Sequence, residues 1–411
     1  MTILDSFRAL LQISKKTKPS GQTDATPALP RERYLKRTND LENFVWLLNH
    51  PPVNQAPVLS RSAAVDVLDD RALVTRVMAA YRSAMQQFSS SGGGWDDWHF
   101  NLKKPIHDVL IGNDVEAATR VLRDPSSSTF FFGFDAVASS PAGEPEPHQL
   151  VITRLNRSAK WDDLYAIWLC DALVSLAEAV GARRVGYPEI DMDAAFAGEA
   201  LPIDVDRILD AIDSELGVQL SFPNPFPNEL GLSSRRGVIG FRALQAVYQA
   251  WRIAQLANNS KDFRVLEIGA GLGRTADFAH QLGINHYSIV DIPLTSAAQG
   301  YFLGRVHGPA DVTLGGEISN TKFRILPSVE FSRHTEKYDL IVNIDSWTEM
   351  PRSVSEMYWN FCRQATQTVL SINHEYNPNT VRDLYQGQTD VHATRHPYPM
   401  RRGYIEEIIR W

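Results

Sequence analysis

Two hydrophobic rhythms divide the chain. From Glu32 to about Gly217 the apolar positions recur every three to four residues, as in Leu169, Leu173, Leu176 and Val180, which predicts helices over 41–50, 63–88, 106–122 and 161–180. Beyond residue 220 the rhythm changes. Short apolar runs at 263–268, 287–290, 323–326, 337–345 and 368–372 read as strands, separated by helical stretches at 241–256 and 295–306. The fourth run is continuously apolar, as a central parallel strand covered on both faces must be. Strands alternating with helices predict an α/β fold, a doubly wound and mostly parallel Rossmann-like sheet, preceded by a mainly helical domain.

The breaks between these patterns set the expected organisation. Leu4, Phe7, Leu10 and Leu11 keep helical spacing but are interrupted by Asp5 and Arg8, and residues 19–30 are rich in Pro, Ser, Thr and Gly. The expected division is therefore an N-terminal helix and linker over 1–30, a helical domain for substrate or oligomerisation over 31–220, and the sheet domain over 221–411. Loops are expected at 89–94 and 139–147. The aromatic run Phe130, Phe131, Phe132 and Phe134 is read as a core anchor before a binding platform. In 221–232 three closely spaced prolines, Pro223, Pro225 and Pro227, forbid a helix and stiffen the approach to the sheet.

Composition narrows the class. With 411 residues, 44% of them hydrophobic, the chain can bury more than one core, and a net charge of -7 gives no general attraction to nucleic acid or to an anionic membrane. The two cysteines, Cys170 and Cys362, lie far apart within apolar helical patterns, too few for a disulfide framework or a thiolate metal site. No stretch reaches transmembrane length and the N-terminus lacks a signal-type apolar core, so a cytoplasmic protein is expected. The helical half offers a surface for a homodimer.

The first strand leads into Glu267, Gly269, Gly271 and Gly273, a glycine loop that lets the backbone turn tightly and approach a ligand. Arg274 stands where a dinucleotide fingerprint needs its last glycine, so a pyrophosphate fits poorly. A carboxylate two residues before the first glycine suits a cationic ligand such as a sulfonium amino acid. Asp291 closes the second strand, and its two oxygens can accept from both hydroxyls of a ribose. This order of strand, glycine loop and acid resembles class I S-adenosylmethionine (SAM) dependent methyltransferases. The segments around Asp291 to Pro293, Tyr301 to Leu303, Asn343 to Met350 and Ser371 to Asn373 further resemble a group from bacterial biosynthetic clusters assigned as sugar O-methyltransferases. The resemblance implies SAM as cofactor, S-adenosylhomocysteine (SAH) as product and a small-molecule acceptor. It places Glu267, Gly269, Gly271, Gly273, Arg274, Asp291, Ile292, Asn343 and Asp345 about the cofactor.

In such sheets ligands lie outside the carboxyl ends of the strands, which singles out the residues after strands four and five. His374 is the first choice for a general base toward a hydroxyl, with Glu375 or Glu349 orienting it. Bracing of a backbone carbonyl or a helix is the plainer alternative for His374 and Glu349. Asn343 and Asp345 either accept from the ammonium of the cofactor or fix the loop that does so. Arg235 and Arg236, Tyr248, and His396 and Arg402 in the basic C-terminal stretch are the candidate acceptor contacts, against solvated charge and core packing. Asp345, Glu349, His374 and Glu375 could also converge on Mg²⁺, but no tight ligand spacing appears and no metal site is assigned. An N-methyltransferase acting on an amine or guanidine, and a SAM-binding regulatory module without turnover, stand as alternatives to O-methylation.

Overall fold

A computed structural model of the chain describes residues 59–63, 69–88, 100–135, 161–185, 203–260, 262–318, 321–328, 331, 334–401 and 403–411. The helix expected over 41–50 and the N-terminal helix and linker lie outside them. The helical half contains α1 (Arg71–Gln87), α2 (Lys104–Ile111), α3 (Val115–Arg123), α4 (Trp161–Val180) and α5 (Val205–Leu216). One helix had been expected over 106–122; two form, because Gly112 leaves α2 in an extended conformation and Asp114 caps α3 by accepting from Ala117 N at 2.9 Å. Such a cap stabilises a helix start by about 1 kcal/mol.

The connector ends in a small antiparallel sheet. A short strand upstream, β1 (Leu59–Arg61), pairs with β2 (Leu230–Ser234), which turns back into β3 (Gly237–Ile239). This sheet therefore joins a strand of the first half to the start of the second. Then follow α6 (Phe241–Ala257), β4 (Arg264–Ile268), α7 (Arg274–Gln281), β5 (His286–Asp291), α8 (Pro293–His307), β6 (Val312–Thr313) and β7 (Phe323–Pro327). The chain closes with β8 (Leu340–Ile344), α9 (Arg352–Ala365), β9 (Thr368–His374), α10 (Arg382–Tyr385), β10 (His392–Pro397) and β11 (Tyr404–Arg410).

Eight of these strands form one sheet in the order β10, β11, β9, β8, β4, β5, β7, β6. From β9 to β6 all neighbours are parallel, and the β10–β11 hairpin adds an antiparallel edge. This is a doubly wound, mostly parallel Rossmann-like sheet, as the alternation of strands and helices predicted. The two-residue period of the strands divides the core. Val265, Ile289, Leu340, Val342, Leu370 and Ile372 join the core shared with the helical half. Their alternates Leu266, Ile268, Val290, Ile341 and Val369 pack on the opposite face against Trp359 and Cys362 of α9. No helix among the described residues is long and apolar enough to cross a membrane.

Candidate functional site

The strand order reverses beside β4, and there a cavity of about 480 Å³ opens at the carboxyl ends of the strands. Beyond Ile268 the chain turns through Gly269 at φ 74° and Gly271 at φ 57°, and Gly273 starts α7. No side chain fits at the first two. A Cβ on Gly269 would stand 2.3 Å from Ser346 Oγ, and one on Gly271 would stand 2.9 Å from the Phe134 carbonyl oxygen. The loop thus forms the floor of the cavity, bare backbone held between two other segments.

Both motif acids face this cavity. Glu267 is fully buried, accepts from Tyr287 Oη at 2.9 Å, and is pushed up to about 8 by burial. A carboxylate short of donors in a low-dielectric wall favours a cation opposite it. Asp291 accepts from Ile292 N at 2.8 Å on one oxygen and from Gln299 Nε2 at 2.7 Å on the other. The Ala270 backbone N–H is a third donor to this carboxylate, which leaves it with capacity to accept from a ligand hydroxyl. Burial pushes Asp291 up to about 7. Gln299 also donates to the Gly271 carbonyl at 2.8 Å, so one amide fixes the acid and the loop together. Ile292 lines the cavity next to Asp291.

Arg274 lines the cavity, but its guanidinium is already engaged by Asp135 at 2.9 and 3.3 Å and reaches Glu229 at 3.5 Å. It ties the start of α7 to the segment ending at Asp135. That segment was the missed component: Phe130 and Phe131 are core, as expected, whereas Gly133, Phe134 and Asp135 form a wall of the cavity. Lys103 backs this wall, its ammonium 4.3 Å from the centre of the Phe134 ring.

At the other end, β8 runs into Asn343 and Asp345. Asn343 is fully buried, donates to the Ile268 carbonyl at 2.9 Å and to Ser346 Oγ at 2.6 Å, and does not line the cavity. It fixes the loop, the second of the two roles expected. Asp345 lines the cavity in the left-handed region at φ 61°. Its carboxylate accepts from Tyr404 Oη at 2.5 Å and Arg401 Nη1 at 3.1 Å, and lies 3.6 Å from Arg242 Nη1. The hairpin turn thereby contributes to the site, although Arg402 itself lies outside the described residues.

His374 Nε2 lies 3.8 Å from Glu349 Oε1 and 4.0 Å from Asp345 Oδ1. Glu349 lines the cavity and His374 does not. His374 Nδ1 accepts from the Tyr376 N–H at 3.2 Å, which puts the ring proton on Nε2, where the hydrogen-bond partner is Thr348 Oγ1 at 3.4 Å and the two acids lie farther off. With its proton on Nε2, the ring has no lone pair on that side for a substrate proton. The same proton opposes metal ligation through Nε2, although Asp345, Glu349 and His374 bring a ligand atom each within 4.8 Å of one another. Glu375 takes no part in the cluster and pairs with Arg395.

The remaining sequence candidates fall elsewhere. Arg235 and Arg236 form the β2–β3 turn and pair with Asp206, Asp210 and Asp213 on α5 or at its start. Tyr248 is buried and donates to Glu406 Oε2 at 2.7 Å. His396 sits on the exposed edge strand, 3.5 Å from Glu406. None of these four lines the cavity. Arg242, Gln245 and Gln249 do, from one face of α6. Their signal was a polar stripe at intervals of three and four residues on an otherwise apolar helix.

No family model matches the chain, and no curated protein matches it. Among solved structures it is similar to magnesium protoporphyrin IX methyltransferase from Synechocystis PCC 6803, solved with bound SAM. The identity is 14%, over 43% of this chain and 86% of that one, with a TM-score of 0.30. It is also similar to a ribosomal protein L11 methylase from Lactobacillus delbrueckii subsp. bulgaricus, at 15% identity over 40% of this chain and 78% of that one, TM-score 0.30. At such scores the fold rests on the strand order itself.

Proposed function

We propose that the protein is a SAM-dependent methyltransferase that methylates a hydroxyl of a small molecule, a sugar or natural-product intermediate. The observation that carries the reading is the single cavity in which Glu267, Gly269, Gly271 and Asp291 face Glu349. The residues present fit the cofactor. Asp291 has acceptor capacity left for a ribose hydroxyl, Glu267 offers a negative wall to the charged amino-acid end, and Ile292, Met350 and Val354 supply an apolar surface for a base. When bound, SAM supplies an electrophilic methyl group on a good leaving group.

The protein must then align the acceptor, exclude water and take one proton. The wall from Gly133 to Asp135 and the helix face at Arg242 to Gln249 enclose the reaction space. Glu349 is the base, and His374, its Nε2 3.8 Å from Glu349 Oε1, stands beside the carboxylate and helps to place it. General-base help of this kind contributes about 10²- to 10⁴-fold in rate. An amine acceptor that arrives uncharged needs no such base, so the Glu349–His374 pair favours oxygen as the nucleophile.

Calorimetry of the full chain with SAM and SAH tests the reading. Binding is expected in the wild type and lost in Gly271→Arg, whose side chain has no room against the Phe134 carbonyl. Equal binding by the variant would remove the pocket assignment. Binding without SAH production across a panel of hydroxyl acceptors would instead favour a regulatory module.

A further inference from the structure

The helix α6 turns Arg242, Gln245, Ala246 and Gln249 toward the cavity. Polar side chains on a buried face are normally spent on partners. Gln249 is spent: it accepts from Thr275 Oγ1 at 2.7 Å and donates to Tyr398 Oη at 3.2 Å. Arg274 and Arg401 are spent as well, on Asp135 and Asp345.

Arg242 differs. Its contacts are both made by Nη1 and both long, 3.5 Å to Gln245 Oε1 and 3.6 Å to Asp345 Oδ2. Nε and Nη2 make no hydrogen bond among the described residues, nor does the side-chain NH₂ of Gln245. The Arg242 side chain keeps 29% of its surface exposed while lining the cavity. A guanidinium so placed holds a fork of donors in reserve, and the matching ligand group is a planar oxyanion.

Its location assigns the ligand. Gln249 is bonded to the second residue of α7 and so marks the glycine-loop end, whereas Arg242, seven residues or about 10 Å away along the helix, lies beside Asp345. Its guanidinium also feels the charge of Glu349. Two guanidiniums, Arg242 and Arg401, face the one carboxylate of Asp345. Among the described residues neither guanidinium has a carboxylate of its own, so an acceptor oxyanion would meet two cations here.

Resting on the methyltransferase reading, we propose that Arg242 and Gln245 form a carboxylate-binding subsite beside Glu349, and that the acceptor is a hydroxy acid whose carboxylate docks there. The hydroxyl proton would pass to Glu349 as the oxygen bonds the methyl carbon and the carbon–sulfur bond breaks, its electron pair staying on sulfur in SAH, while the acceptor carboxylate stays docked on Arg242. The subsite fixes orientation as well as charge, because a bidentate fork admits one plane of approach.

The test uses the full chain saturated with SAH and titrated with 4-hydroxybenzoate, D-glucuronate and L-malate, each against its primary amide. At least one acid is expected to bind ten-fold or more tightly than its amide. Arg242→Gln should abolish that preference and leave SAM affinity within about two-fold, and Arg242→Lys, which keeps the charge but loses the fork, should retain part of it. No preference for any acid in the wild type, or a preference that survives Arg242→Gln, would overturn the proposal. A ten-fold loss of SAM affinity in Arg242→Gln would also overturn it, by showing that the oxyanion is the cofactor's own carboxylate. Failure of the wild type to bind SAM is a separate result, which would remove the methyltransferase reading itself.

Discussion

The two ends of the cavity are built differently. At the glycine end, Glu267, Gly269, Gly271 and Gly273 lie within seven consecutive residues, and the backbone does most of the shaping. At the base end, Asp345, Glu349, His374, Arg242 and Arg401 come from β8 and its following loop, β9, α6 and a hairpin turn. The first depends on a conformation that only glycine adopts cheaply; the second depends on several segments arriving in register. A substitution at the glycine end should therefore affect binding through sterics, whereas one at the base end should affect turnover through charge and orientation.

The largest effect expected from this contrast is at Glu349. Glu349→Gln keeps the size and removes the base, so kcat should fall by about 10²- to 10⁴-fold while SAM affinity changes less than two-fold. His374→Ala should cost less, about ten-fold in kcat, because the ring orients the carboxylate without touching the acceptor. The split is checked by kcat, KM and the pH profile of each variant. If His374→Ala proved the more damaging and abolished the acidic limb of that profile, the ring would be the base and the tautomer assigned from the Tyr376 N–H would be wrong.

The same contrast explains what was legible in the sequence. The glycine loop, its preceding acid and Asp291 are local signals, since strand, turn and acid follow one another along the chain. All the parallel strands but the two-residue β6 were legible from apolar runs, and their observed bounds differ by a few residues at most. Hidden were the contributions that depend on tertiary arrival. Asp135 appears in no motif, yet it engages Arg274 across the cavity wall. The basic C-terminal stretch forms the β10–β11 hairpin at the sheet edge, and its turn carries Arg401 to Asp345. Glu375 follows the last residue of β9, in the bend beyond it, and pairs with Arg395 of β10, a partner that adjacency to His374 did not announce.

An intermediate effect is expected from pH, and it belongs to the glycine end. Burial raises Asp291 to about 7 and Glu267 to about 8, and both must be ionised to accept hydroxyl protons or face a cation. Cofactor affinity should therefore fall as pH drops from 8 through 7, by up to about ten-fold per unit for each proton taken up. Stability without cofactor has the opposite sign. Carboxyls whose folded pKa is raised bind more protons folded than unfolded between about pH 4 and 8, so their contribution is present at low pH and lost as pH rises. The melting temperature of the free protein should decline across that window while the shift induced by SAH grows. A cofactor affinity flat from pH 6 to 9 would show that neither acid titrates there, and would break the assignment of both.

The smallest effects are expected outside the cavity, and they test where its boundary runs. Arg235 and Arg236 are adjacent in the β2–β3 turn, but Arg236 has a side chain only 10% exposed and staples the turn to Asp210 and Asp213, whereas Arg235 is 68% exposed. Arg236→Ala should lower stability by about 1–2 kcal/mol, since charge-assisted hydrogen bonds from a largely buried guanidinium are lost, and should leave kcat and KM unchanged. Arg235→Ala should change neither the melting temperature nor the kinetics, because an exposed ion pair is screened by water and salt. Chemical denaturation and steady-state kinetics on the two variants check both expectations. A raised acceptor KM in Arg235→Ala with unaltered stability would extend the acceptor site from the base end to this turn, and the cavity would then be only part of the surface that recognises the acceptor.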